Sequence, residues 1–224
     1  MNYKNNSRYL IIIAVLSICI ILCMNKSTDF KGWEAVNKYI QPNVTIFIGD
    51  SITKGADFKE AFNEQIVLNK GISGNTTIDV LNRLDKDIYQ FNPYKVFLLI
   101  GINDIGKNFD NKDTIKNIKL IVNNIKRNCP HVKIYLQSIY PVNNTNDKKI
   151  QKRYFKYRNN KDVIEINKEL KIFANSNNIT YIDIYSHLLD EKNNLKLSYT
   201  KEGLHLNKDG YETVLKVLNS YVYK

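Results

Sequence analysis

Short apolar runs alternate with longer amphipathic stretches from Val44 to the C-terminus. Residues 44–48, 66–68, 96–100, 132–136 and 179–184 are dense in Val, Ile, Leu and Phe, without the strict polar alternation of a half-exposed strand. They predict five strands buried on both faces, as in a parallel sheet. Between them, residues 77–90, 114–128, 163–177 and 208–223 space their apolar positions three and four apart and predict helices. Strand and helix in alternation indicate βαβ units. The expected architecture is a three-layer α/β/α domain on a five-stranded parallel sheet, over residues 44–224. Residues 140–162 form the longest irregular piece and are expected to supply a functional rim.

The N-terminus carries a different pattern. No residue between Arg8 and Lys26 is charged, and residues 10–24 read LIIIAVLSICIILCM. This run exceeds a usual signal-peptide core, is slightly short for a bilayer span, and has no A-x-A site after it. A lipoprotein would carry a small residue where Leu22 precedes Cys23. We expect an uncleaved hydrophobic anchor helix within residues 1–26, followed by a connector over 27–43 with a short helix near Trp33. A cleaved signal or a lipoprotein are the alternatives. Lys4 and Arg8 ahead of the run place the domain outside the cytoplasm under the positive-inside rule.

Composition removes several chemistries. Cys19 and Cys23 lie in the apolar run, leaving Cys129 alone in the domain, so no intradomain disulfide or cysteine zinc site is expected. Three histidines (His131, His187 and His205) are too few for a multi-histidine metal centre, and no metal or cofactor is expected. The net charge of +11 suits anionic partners. Its densest cluster, seven Lys and Arg between Lys148 and Lys161 with Tyr154, Phe155 and Tyr157 among them, reads as a solvated face. With no nucleic-acid-binding motif beside it, no nucleic-acid partner is expected.

Four polar signals fall at strand ends, where ligands bind in open parallel sheets. Gly49-Asp50-Ser51-Ile52 follows the first strand. Ser51 there either presents its hydroxyl near a helix N-terminus or caps that helix. The α/β-hydrolase elbow G-x-S-x-G is absent, since position 53 is Thr. Asn69-Lys70-Gly71-Ile72-Ser73-Gly74-Asn75 follows the second strand and reads as a βα turn, or as backbone able to approach a ligand. Gly101-Ile102-Asn103-Asp104 follows the third, where a carboxamide can donate to developing negative charge. Glu202-Gly203-Leu204-His205 precedes the last helix, and a carboxylate three residues before a histidine can fix the imidazole's tautomer. His131 and His187 are expected in turns away from the site, which leaves His205 as the candidate base.

These four blocks, in this order, resemble the SGNH (GDSL-type) hydrolase superfamily. The resemblance runs from about Val44 to the C-terminus. Residues 137–142 and 165–170 are similar to its acetylhydrolase-like branch, which includes platelet-activating-factor acetylhydrolase and carbohydrate O-acetylesterases. It implies a flavodoxin-like sheet and a serine esterase working through an acyl-enzyme. Ser51 would be the nucleophile and His205 the base. Backbone N–H groups of Ser51 and Gly74 and the Asn103 side chain would form the oxyanion hole. The family usually has Asp where this chain has Glu202. The implied substrate is a short-chain ester, acetyl above all, on a glycan, a lipid or a small molecule. A lysophospholipase or thioesterase of the same fold, an acyltransferase and a surface-binding protein of low activity are the alternatives.

Overall fold

The computed structural model describes residues 43–223. The expected anchor and connector, and the localisation read from them, lie outside these residues. Among the described residues, no helix is long and apolar enough to cross a membrane.

The sheet has five parallel strands in the order β2-β1-β3-β4-β5: β1 (Val44–Gly49), β2 (Ile66–Gly71), β3 (Lys95–Leu99), β4 (Lys133–Gln137) and β5 (Thr180–Ile182). This is the doubly wound flavodoxin-like order, with its switch point beside β1. β1 and β3 are buried along their whole length, which is why they read as unbroken apolar runs. Phe47, Phe97 and Tyr135 are aligned across β1, β3 and β4, and their rings stack at centroid separations of 4.5 Å. Lys95 is buried within β3. Its Nζ donates to the carbonyls of Tyr221 and Val222, which end the last helix, so the cation sits where the helix dipole is negative.

The helices are α1 (Ser51–Lys54), α2 (Phe58–Ala61), α3 (Thr77–Leu81), α4 (Leu84–Asp87), α5 (Ile102–Gly106), α6 (Asn111–Asn128), α7 (Asn160–Ser176) and α8 (Lys208–Val222). The crossover from β1 to β2 carries α2, and α8 follows the last strand; both cover the aromatic face, where Phe58 stacks on Phe47 and Tyr221 meets Tyr135 edge-on. The crossovers carrying α3, α6 and α7 cover the other face.

Four expectations need correction. The strands at the sheet edges, β2 and β5, are not buried on both faces, being covered on one side only by a neighbouring strand. The helix expected over 77–90 is broken into α3, α4 and a 3₁₀ turn, Tyr89–Phe91. Arg83, at the break, turns inward and donates to the carbonyls of Gly49 and Lys70, the side chain of Asn75 and the carboxylate of Asp87. Asn69 does not follow β2 but lies inside it, paired with Phe47, and its amide holds the carbonyls of Thr53 and Ala56. α6 and α7 begin three residues before their apolar periodicity, because Asp110 and Asn159 cap them at Asn111 and Asn160.

Candidate active site

Ser51 stands just beyond β1, and the turns after β2 and β3 flank it. Asp50, not Ser51, caps α1, its Oδ1 accepting from the Ile52 N–H at 2.9 Å. Ser51 is therefore the first helical residue and its hydroxyl is not spent on a cap. That hydroxyl lies 3.0 Å from His205 Nε2.

His205 is held from the opposite side. Glu202 Oε1 is 2.5 Å from His205 Nδ1 and also accepts the His205 backbone N–H at 3.1 Å. A carboxylate at Nδ1 keeps the proton there and leaves Nε2 facing Ser51 as an acceptor. The turn is built for this reach. Thr200, fully buried, accepts the N–H groups of Glu202 and Gly203 on its Oγ1 and donates to the His205 carbonyl. Gly203 adopts φ +102°, where a Cβ would lie 2.4 Å from the Asn143 carbonyl oxygen. Glycine is required at that point. Tyr154 meets the imidazole edge-on, with the ring planes at 85°.

The other two predicted donors occupy the flanking turns. Ile72 to Asn75 form a turn closed by the Asn75 N–H on the Ile72 carbonyl, with Gly74 at φ +81° in the position that a type II turn reserves for glycine. Gly74 is exposed. Asn103 is nearly buried in α5. Its Nδ2 donates to the Asn75 carbonyl at 3.0 Å, while its Oδ1 accepts from Arg158 Nη2 at 2.8 Å. One Nδ2 proton remains for a ligand. Asp104 ties the same two turns together by accepting the N–H and hydroxyl of Thr77.

A cavity of about 370 Å³ opens beside Ser51 and His205. Gln151, Arg153, Tyr154, Lys201 and Tyr211 contribute to its wall. Gly74 and Asn103 are not among its lining residues; they reach Ser51 only as neighbours along the sheet edge. His131 and His187 are exposed in turns away from this cavity. Among the described residues, no three His, Cys, Asp or Glu side chains gather as a metal site requires.

Two charged residues of the site were not anticipated as such. Arg158, read as one cation of a solvated cluster, turns inward, also donating to the carbonyls of Ile102 and Tyr154. Asp50 is completely buried, and loss of hydration raises its carboxyl from 3.8 to about 7; the Ile52 N–H and Arg158 oppose that rise.

A model of the GDSL-like Lipase/Acylhydrolase family matches residues 47–213, which include Ser51, Gly74, Asn103, Glu202 and His205. The chain belongs to this family. A Streptococcus pneumonia protein provisionally assigned as a platelet activating factor is similar in structure to this acylhydrolase relative. The two are 31% identical, with a TM-score of 0.75, and the match covers 94% of this chain and 99% of that one. An acetylxylan esterase of Geobacillus stearothermophilus is 46% identical over 44 residues, 20% of each chain. The N-acylneuraminate cytidylyltransferase of Escherichia coli O18:K1:H7 (strain RS218 / NMEC) is 30% identical over 186 residues, covering 82% of this acylhydrolase-family chain. The chain spans only 41% of that relative.

Proposed function

We propose that the protein is a serine esterase that removes a short acyl group, acetyl above all, from a hydroxyl of a glycan or lipid. The observation that carries this reading is the unbroken series Ser51 Oγ, His205 Nε2, His205 Nδ1, Glu202 Oε1, with separations of 3.0 and 2.5 Å across its two gaps. Ser51 Oγ attacks the ester carbonyl carbon as its proton passes to His205 Nε2, and Glu202 stabilises the imidazolium. The carbonyl oxygen becomes an oxyanion, received by the Ser51 and Gly74 backbone N–H groups and the free Nδ2 proton of Asn103. His205 then protonates the departing alcohol, leaving an acyl group on Ser51. Water, deprotonated by His205, releases the carboxylic acid and restores the serine.

Short acyl groups suit the cavity. Its volume is about 370 Å³, and Gln151, Arg153 and Lys201 interrupt any apolar path that a long chain would follow. The similarity to an acetylxylan esterase supports an acetyl group on a sugar hydroxyl. The apolar run at residues 10–24 supports a membrane-anchored protein with its domain outside the cytoplasm. Turnover of p-nitrophenyl esters from acetate to decanoate by the full chain tests the acyl preference. We expect kcat/KM to be highest at acetate and to fall with chain length. A maximum at octanoate or decanoate would assign the protein to lipid hydrolysis with a long-chain pocket.

A further inference from the structure

The basic cluster between Lys148 and Lys161 resolves into distinct duties. Lys149 Nζ donates to the Leu197 carbonyl, and Lys152 Nζ donates to the carbonyls of Asn144 and Thr145. Arg158 is committed to Asn103. Arg153 differs, because it lines the cavity beside Ser51 and His205. Among the described residues its guanidinium makes polar contact only with Tyr154, through a 3.3 Å hydrogen bond to the hydroxyl and a position 5.0 Å from the ring centroid. Lys201 lines the same cavity, and its ammonium has no ion-pair or hydrogen-bond partner among the described residues. The cavity's one carboxylate, Glu202, is occupied by His205.

Both residues are exposed, but the backbone that carries them is held in place. The Gln151 N–H donates to the Glu202 carbonyl at 3.1 Å, and the Asn143 N–H donates to the Gly203 carbonyl at 2.8 Å. The segment bearing Arg153 is thereby stitched to the turn bearing Lys201 and His205. Two unneutralised cations over a polar pocket create a positive potential where a substrate must lie to reach Ser51. Arginine offers a fork suited to carboxylate or phosphate oxygens, and lysine adds a point charge.

From this arrangement we infer that the esterase takes an anionic substrate: an ester whose alcohol portion carries a carboxylate or phosphate held between Arg153 and Lys201. The inference rests on the esterase reading and names the substrate class for that same site. The acyl carbonyl faces Ser51 while the anion anchors the leaving half, so neutral esters lack the second point of attachment. Arg153 and Lys201 act as specificity-determining residues and take no part in the bond changes.

Three acetate esters of matched size test it: 4-acetoxybenzoate, 4-acetoxyphenyl phosphate and the neutral 4-acetoxybenzamide, each kcat/KM divided by that ester's alkaline hydrolysis rate. The full-length protein is expected to prefer an anionic ester about tenfold, chiefly through KM, as two exposed charge contacts together allow. The carboxylate and phosphate arms show which anion is preferred. The preference ratio should fall in Arg153→Gln and Lys201→Gln, approach one in the double variant, and shrink as sodium chloride rises from 10 to 500 mM. A ratio near one in the unmodified protein, or a ratio that the double variant keeps, overturns the inference while leaving the esterase reading intact. If none of the esters is hydrolysed, the esterase reading fails instead, and calorimetric titration of Ser51→Ala with the same compounds decides the inference. Binding selective for the anions sustains it, and equal binding of all three, or none, overturns it.

Discussion

Arg158 Nη2 donates to Asn103 Oδ1 at 2.8 Å, and this bond fixes which end of the Asn103 carboxamide serves as donor. With Oδ1 occupied, Nδ2 is the end turned to the Asn75 carbonyl. In the proposed mechanism Arg158 is thus a positioning residue for Asn103 as the third oxyanion donor. Arg158→Lys cannot serve Asn103, Ile102 and Tyr154 together. Losing one charge-assisted hydrogen bond is expected to lower kcat about tenfold with KM little changed. Steady-state kinetics on p-nitrophenyl acetate provide the check, and an unaltered kcat would reduce Arg158 to a packing role.

Asn103→Ala removes the donor itself. Loss of a single oxyanion-hole donor costs on the order of 100- to 1000-fold in kcat, and a fall of that size is expected here. A rate within a factor of three of the unmodified protein would show that Asn103 only braces the turn at Asn75.

Glu202 accepts two hydrogen bonds from His205, to Nδ1 and to the backbone N–H, so the longer side chain completes the contact without distorting the turn. Glu202→Gln should lower kcat by at least tenfold, with about 10⁴-fold as the upper reference for loss of the correct tautomer. Glu202→Asp should fall between Gln and the unmodified protein. Thr200 and the close approach of Gly203 to Asn143 hold the backbone, so the shorter carboxylate is drawn away from Nδ1. Full activity in Glu202→Asp would mean that this turn yields more readily than its packing indicates.

Asp50 makes stability depend on pH. Its carboxyl titrates near 7 in the folded protein, because burial outweighs the Ile52 N–H and Arg158, against 3.8 when exposed. Between these values the folded state holds a proton that the unfolded chain has released, so stability is lost as pH rises toward 7. The loss from pH 5 to 7 is about 2 kcal/mol, since the slope of ~1.4 kcal/mol per unit falls to half as pH reaches the folded value. Asp50→Asn should flatten this slope, as read by urea denaturation at pH 5, 6, 7 and 8. The same slope in both proteins would place the titration on another group.

The sheet was legible because strands buried on both faces leave continuous apolar runs, and β1 and β3 are buried end to end. Helix boundaries were less so: Arg83 breaks the stretch at 77–90 to reach carbonyls at two strand ends, and periodicity carries no trace of that contact. The grouping of Ser51, Glu202 and His205 was legible because each sits in a short local motif at a strand end or before the last helix. Arg158 could not. Its contact with Asn103 spans 55 positions, and in a lysine-rich chain an inward-turning arginine looks like any surface cation. Asp50 was visible as a turn residue, but its burial follows from Tyr140, Tyr211 and Arg158 closing around it, which only the fold brings about.

The central claim is that Ser51 is the nucleophile activated by His205, and covalent capture tests it most directly. The full-length protein is treated with a fluorophosphonate and its intact mass and peptides are measured. One adduct per chain is predicted, on the peptide bearing Ser51, absent in Ser51→Ala and strongly slowed in His205→Ala. No adduct on the unmodified protein, or equal labelling of Ser51→Ala, would contradict the account.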